Sequence, residues 1–361
     1  MGKIGILTYH TGYNYGASLQ AFALQTSIQK LGKNCEIINF ETERFVASRE
    51  MFSRKPTREK EIIKSVSRVT YYSTLIKRQA LFDEYTRNCL DTSPLYRTEK
   101  EVVEHASDYD CIVCGSDQIW NLSQTDAPAK NPLFFLNFPK TQKRVSYAAS
   151  FGKWVKEAPN QEGVFLPWLK QFDAISVRET SGVDYVRSLG LDCTLCLDPT
   201  ILLDAEDYDV ICAPRIIEEP YVLLFSWTCP KSVVEMAKRI SKELGMPVYN
   251  IVPPPRAMGK RIPRKLDVGP CEFLSMVKNA AFVVTNSFHG TAFSTIFERP
   301  YVSVVTGEPD PRMKSLLEQL GLQNHLTDAN SFDLKELINT DYSGVRKKKM
   351  PHNITMRHRR T

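Results

Sequence analysis

The sequence has no apolar run long enough to cross a bilayer, and no charged, apolar and small-residue succession of a secretory signal peptide. Its opening, M-G-K-I-G-I-L-T-Y-H, reads as a first core strand, so a cytoplasmic enzyme or binding protein is expected. Several catalytic motifs are also missing. There is no P-loop, no H-E-x-x-H and no G-x-S-x-G, which removes the commoner NTPases, zinc peptidases and α/β-hydrolases. The loop H-T-G-Y-N-Y-G (10–16) precedes a helical pattern but is not G-x-G-x-x-G. No acid stands clearly at the ribose position either, which argues against a dinucleotide. No nucleic-acid-binding motif occurs, so nucleic acid is not an expected partner.

Cysteine is not scarce. Nine are present, and Cys111/Cys114 and Cys193/Cys196 have C-x-x-C spacing. They fall in the strand-like runs C-I-V-C and C-T-L-C, where residues three apart point to opposite faces. Such pairs do not readily grip one metal, which would need a tight turn. No metal is expected, and the odd, scattered count fits buried thiols in a reducing compartment.

The length of 361 residues, with 42% hydrophobic and 24% charged residues, suggests two globular domains. Net charge is +6 and uneven. Basic stretches lie at 54–68, 253–265 and 346–361. They read as solvated surface and a frayed tail, or as attraction to an anionic substrate or lipid surface.

The pattern along the chain is α/β. Strand, loop and helix follow one another at 3–9, 10–16 and 17–32, with Gly32 as a stop, then a strand at 35–40. A basic, helical insertion occupies about 45–100. Apolar runs at 110–117, 144–152, 174–179 and 195–200 each end in small polar or charged residues. That marks the carboxyl edge of a parallel sheet, where ligands bind. An acidic, irregular segment at 205–219 is the expected boundary, giving an N-terminal domain over 1–205 and a C-terminal one over 220–345, then a tail at 346–361. The second half alternates strands (221–227, 247–252, 281–286, 301–306) with helices (231–245, 271–280, 290–299, 312–321). Two doubly wound, Rossmann-like domains facing a central cleft are expected.

Three places along those strand ends could carry chemistry. In V-T-N-S-F-H-G-T-A-F (284–293) a helix starts directly after a strand, so its free N–H groups and dipole favour an anion. There His289 could bind an anion or donate a proton, Gly290 lets a ligand approach the backbone, and Ser287 and Thr291 add hydroxyls. A histidine that merely caps the turn is the plainer alternative. In S-V-R-E, Arg178 suits a carboxylate or phosphate, or pairs with Glu179 or another acid. In G-S-D-Q-I-W-N (115–121), Asp117 could act as a base towards a hydroxyl, Trp120 offers a face for a sugar ring, and Gln118 and Asn121 could hydrogen-bond hydroxyls. A polar turn over a buried tryptophan is the alternative.

The motifs N-Y-G-A-S-L-Q-A-F-A-L, C-G-S-D-Q-I-W-N, S-Y-A-A-S-F-G, S-V-R-E, L-D-P-T and N-S-F-H-G-T-A-F-S occur in that order. In this the chain resembles the polysaccharide pyruvyl transferase family, from about residue 3 to 325. The resemblance implies a GT-B-like fold and a reaction in which phosphoenolpyruvate gives its carboxyvinyl carbons to a sugar of a surface polysaccharide precursor. A cyclic pyruvate ketal forms across two hydroxyls and phosphate leaves, with no cofactor or metal required. The resemblance puts Arg178 and His289 at the donor, His289 near the enol. Relatives often have arginine two residues before that histidine, where this chain has Ser287, and Arg312 or the 256–265 loop is expected to compensate. Asn14 and Tyr15 join Asp117, Gln118, Trp120 and Asn121 on the acceptor side. A lipid-linked sugar would bring the protein to the inner face of the membrane. The basic tail departs from the terminal helix usual in relatives. Two other readings stay open: a GT-B glycosyltransferase using a nucleotide sugar, and a non-catalytic sugar- or anion-binding protein.

Overall fold

The computed structural model describes residues 2–41, 46, 71–121, 132–138, 142–153, 162–251, 263, 265, 267–328 and 332–348. The basic stretch 54–68, most of 253–265 and the tail from 349 onward lie outside the described residues.

The first half begins with β1 (Lys3–Leu7), α1 (Tyr15–Lys30) and β2 (Asn34–Ile37). It continues through α2 (Tyr72–Cys89), α3 (Glu99–Glu104), β3 (Cys111–Cys114), β4 (Lys143–Ser146), α4 (Glu162–Leu169), β5 (Ser176–Val177), α5 (Thr180–Ser188) and β6 (Thr194–Leu195). Its strands are parallel, in the order β2-β1-β3-β4. The pair β5-β6 extends that row through bridges from Val145 to Ala174 and from Ala149 to Val177. Two short helices follow, α6 (Pro199–Leu202) and α7 (Ala205–Asp209). The latter occupies the start of the segment read as irregular, because Asp204 and Asp207 close a reciprocal cap there.

The second half runs β7 (Val222–Phe225), α8 (Lys231–Leu244), β8 (Val248–Asn250), α9 (Pro270–Lys278), β9 (Phe282–Thr285), α10 (Phe288–Ile296), β10 (Tyr301–Val304), α11 (Pro311–Leu320), β11 (Leu326–Thr327) and α12 (Leu334–Ile338). Its sheet is parallel, in the order β11-β10-β9-β7-β8. In each sheet the strand order reverses at the first strand of the half, between β1 and β3 and between β7 and β9. Open α/β sheets bind ligands beyond the strand ends at that switch point.

Strands β3 and β4 are shorter than their apolar runs suggest. Asp117 (φ 68°) and Ala148 (φ 49°) take left-handed backbone conformations that turn the chain away from the sheet. Cys111 and Cys114 do lie on a strand, and all nine cysteines remain thiols. Among the described residues no cluster of histidine, cysteine and acids could hold a metal, and no helix is long and apolar enough to cross a membrane.

The two halves share one apolar core that runs from Ile6 and Leu19 to Phe225, Phe273 and Phe293. Helix α1 is the wedge between them. Ala17, Ala21, Leu24 and Ile28 are buried along one face, and Leu19 and Phe22 on the other side are buried too. Tyr15, at its start, lies 4.8 Å from the Phe273 ring and stacks on it. Its hydroxyl donates to the Val268 carbonyl at 3.0 Å and accepts from Arg78 Nε of α2 at 3.2 Å. One such ring pair adds about 0.5–1.5 kcal/mol beyond its burial. Lys77 of α2 pairs with Asp267 (2.9 Å), and Thr180 of α5 meets Ser315 of α11 (3.2 Å).

Candidate active site

The two switch points meet. The chain leaves β9, turns at Asn286 and enters α10 with Ser287 as its cap, whose hydroxyl faces the Gly290 N–H at 3.5 Å. His289, in the first turn, reaches across to α1. A Cβ on Gly16 would lie 1.9 Å from His289 Nδ1. Glycine at 16 is therefore what lets the imidazole lie against the other half. His289 is 7% exposed and its Nε2 has no hydrogen-bond partner. Burial lowers its pKa; Asp198 and Asp117 pull it up, Arg178 and Arg312 push it down, and the balance lies below the usual value. At neutral pH the imidazole is uncharged. The expectation of a protonated His289 is corrected accordingly: its two neighbouring carboxylates do not outweigh desolvation and the two arginines.

Arg178 sits just past β5, 2% exposed. Its Nη1 donates to Asp198 Oδ2 at 2.5 Å and its Nη2 to Asp117 Oδ1 at 2.9 Å. The guanidinium lies 4.5 Å from the centre of the Phe288 ring, and Nε is left without a partner. Burial opposes its charge, yet Asp198 and Asp117 outweigh burial and hold it firmly protonated. The partner is thus not Glu179, as one reading had it, but two acids from different loops.

Burial alone would raise both aspartates; Arg178, joined by His289 once acid protonates the imidazole, outweighs it and holds both below the ordinary range. Asp198 caps α6, taking the Thr200 N–H (3.1 Å) and hydroxyl (2.7 Å), and accepts from the Ser116 hydroxyl at 2.9 Å. A carboxylate so held is a weak base. Asp117 therefore orients Arg178 instead of activating a hydroxyl, which corrects its expected role.

Arg312 closes the far side. It grips Asp310 with a bidentate fork (2.9 and 2.6 Å) and lies 5.8 Å from the centre of the Phe288 ring. Phe288 thus has two guanidiniums over it, one from each half.

The other expected site residues are mostly committed to contacts within the fold. Trp120 is 0% exposed, stacked 5.1 Å from Phe135, and its indole N–H donates to the Phe134 carbonyl at 3.0 Å, so no sugar reaches it. Tyr15 is consumed by the inter-half contact already described. At Gly290 a Cβ would lie 2.2 Å from Thr285 Oγ1 and 2.9 Å from Phe225, so packing alone requires glycine there. Thr291 is buried, with its hydroxyl on the Ser287 carbonyl (3.1 Å) and Ser303 Oγ (2.7 Å). Asn121 donates to Gln118 Oε1 at 2.6 Å, which braces the loop under Gly152. Asn14 is exposed and caps α1 through the Gly16 N–H at 3.0 Å.

The sequence matches the family model for polysaccharide pyruvyl transferase over residues 14–307. The chain belongs to that family.

No curated protein matches it closely enough to count as a relative. Among solved structures, it is similar to the UDP-GlcNAc 2-epimerase from Neisseria meningitidis bound to UDP-GlcNAc. Identity is 8%, TM-score 0.52, and 99% of this chain and 100% of that one are covered. It is similar to the UDP-GlcNAc 2-epimerase of Methanocaldococcus jannaschii with UDP-GlcNAc and UDP (13%, TM-score 0.50, 98% and 99% covered). It is also similar to an alpha-glucosyltransferase with UDP and a DNA 13-mer (12%, TM-score 0.51, 98% and 94% covered). At such identities the likeness shows the fold alone, which is GT-B.

In this pyruvyl transferase family member, two site residues escaped the reading of the sequence as functional. Asp198 had a signal, an acid before proline after a buried strand, which is also an ordinary helix cap. Glu179 had none beyond its place beside Arg178. It is wholly buried, and burial pushes its carboxyl up to about 7 against the pull of Arg178 and Arg312.

Proposed function

We propose that this protein moves the pyruvyl group of phosphoenolpyruvate onto two hydroxyls of a sugar in a surface polysaccharide or its lipid-linked precursor, releasing phosphate. The observation that carries this reading is Arg178. It is buried, clamped between two carboxylates, and keeps one N–H unpartnered where the two switch points meet. A small dianion suits that place. Arg178 Nε–H and Arg312 supply positive charge from the two halves, and the start of α10 supplies unpaired N–H groups.

In the reaction the donor's methylene carbon takes a proton, and its C=C electrons form the new C–H bond. The adjacent carbon becomes cationic and a sugar hydroxyl adds to it. His289, neutral, takes the hydroxyl's proton on Nε2. A second hydroxyl displaces phosphate, which carries off that hydroxyl's proton, and closes the ketal. Asp117 and Asp198 hold Arg178 in place throughout. No cofactor is called for, and the acceptor lies on the side of the first half, near Gln118. An acceptor on lipid fits a contact of the basic 54–68 stretch with anionic membrane at the cytoplasmic face. Flotation with anionic liposomes at physiological salt tests that contact, and absence of binding ends it.

The donor is tested by thermal stabilisation, since a ligand that binds only the folded state raises Tm with occupancy. Phosphoenolpyruvate is expected to raise Tm in the wild type. The rise should be lost in Arg178→Lys, which keeps one positive charge between the two aspartates where Arg178→Ala would strand them. His289→Gln is expected to bind donor and lose at least about a hundredfold in phosphate release. A shift with a nucleotide sugar and none with phosphoenolpyruvate would leave the fold in place and overturn the chemistry.

A further inference from the structure

The charges of the site do not balance around Glu179. Two guanidiniums, Arg178 and Arg312, already face three aspartates, since Arg178 holds Asp117 and Asp198 and Arg312 holds Asp310 with both arms of its fork. Glu179 is a fourth carboxyl in this buried group and has no cation of its own. Its Oε1 accepts the Phe151 N–H at 2.7 Å, the neighbouring Ser150 hydroxyl adds a pull toward the ionised form, and its Oε2 has no hydrogen-bond partner. The backbone fixes it between Arg178 and the start of α5, at the same sheet edge as Asp117. The groups that face it are Arg178 on its own segment, Arg312 from the second half and the Cys193 thiol before β6. Cys193 stays neutral, because burial pushes its thiol up to about 12.

An anionic donor entering this group meets three carboxylates that are already ionised and paired. An ionised Glu179 would oppose it directly, whereas a protonated one would not, and its O–H would have a free direction for donation. We propose that Glu179 takes up a proton when the anionic donor binds, so that donor binding itself places an acid beside the donor. This rests on the reading of the donor as phosphoenolpyruvate. The bookkeeping of the reaction closes around it. The carboxyl's proton goes to the methylene carbon, whose π electrons form the C–H bond, and Glu179 becomes a carboxylate. The first sugar hydroxyl loses its proton to His289, and that proton restores Glu179. The second hydroxyl's proton leaves on phosphate.

The test is calorimetric titration of the full chain with phosphoenolpyruvate in buffers of different ionisation enthalpy, from pH 6 to pH 8, with wild type and Glu179→Gln. Glutamine keeps the acceptor for Phe151 and mimics the neutral carboxyl. In the wild type, proton uptake per donor should rise from pH 6 to approach one at pH 8. In Glu179→Gln it should fall by most of a proton at pH 8, while the affinity at pH 8 stays equal or improves about tenfold, because no ionised group need be neutralised. Changes in the donor's own ionisation are common to both proteins and cancel in the difference. Uptake equal in the two proteins overturns the role of Glu179, and so does binding by the wild type with no uptake at pH 8. The second result needs no variant and holds even if Glu179→Gln misfolds. If the wild type binds no phosphoenolpyruvate at all, the donor reading falls first and this inference with it.

Discussion

Glu179 has a signature in stability as well as in binding. Its folded pKa, about 7, lies above the ordinary 4.5. The folded protein then binds more protons than the unfolded chain between those values. Stability is fully present below about pH 4.5 and is lost as pH rises through 7, by about 3 kcal/mol at most. Asp117, Asp198 and Asp310 act in the opposite sense, because their pKa values are lowered and their contribution is lost in acid. Glu179→Gln should therefore be close to wild type in urea at pH 5 and more stable at pH 8. Equal midpoints at both values would show that the carboxyl titrates normally. At this scale the sequence was a partial guide. Arg178 and His289 announce themselves by type and by position at strand ends. Whether Asp117 is a base or a clamp depends on a partner sixty-one residues away in the chain, which no local pattern carries. Trp120 shows the same limit from the other side. A polar loop around an aromatic looks like a sugar platform until the ring is found against Phe135.

Among the elements, α2 was the least legible in its purpose. It falls within the helical insertion expected at about 45–100, but nothing local says that it belongs to an inter-half strap. It binds both halves through one face. Arg78 is buried, its Nη2 donates to the Tyr13 carbonyl at 2.9 Å, and its Nε donates to the Tyr15 hydroxyl. Its guanidinium lies over the rings of Tyr15 (5.1 Å) and Phe82 (4.7 Å). One turn on, a Cβ on Gly269 would lie 2.6 Å from that of Leu81, so α9 touches the strap backbone to side chain. Arg78→Ala should cost about 2–3 kcal/mol, since it removes two hydrogen bonds from a charged donor and strips cover from Tyr15. A change of less than about 0.5 kcal/mol in the denaturation midpoint would mean that α2 does not tie the halves together. The alternation of strand and helix was readable from 221 to 321, because those strands are largely buried and bounded by clear helix stops such as Gly245 and Gly321, whereas β11 and α12 beyond it are too short to leave a pattern.

For the molecule as a whole, the seam between halves carries a dithiol. Cys89, the last residue of α2, and Cys271, in the first turn of α9, are close enough for each thiol to shift the other's ionisation, Cys89 downward and Cys271 upward. A disulfide-forming oxidant such as diamide should link them. A Cys89–Cys271 peptide should then appear in a non-reducing digest and vanish in Cys271→Ser. If oxidation pairs other cysteines first, the two helices are not held together in solution. Neither the spacing of the cysteines nor their count points to this pair, since 182 positions separate them and only the folded seam brings them together. The two-domain α/β architecture, by contrast, follows from patterns within each half, and so it was legible where the seam was not.

The fit of His289 against Gly16 has a thermodynamic consequence. The imidazole is kept neutral by being enclosed, and Gly16 of the opposite half is part of that enclosure. Drawing the halves apart would return it to water and to an ordinary affinity for protons. Closing the cleft is then an acid–base reaction in its own right: shutting expels a proton, and acid holds the molecule ajar. Small-angle scattering through pH 6.5 would show this as a radius of gyration that grows as the solution is acidified, and that ceases to respond in His289→Gln.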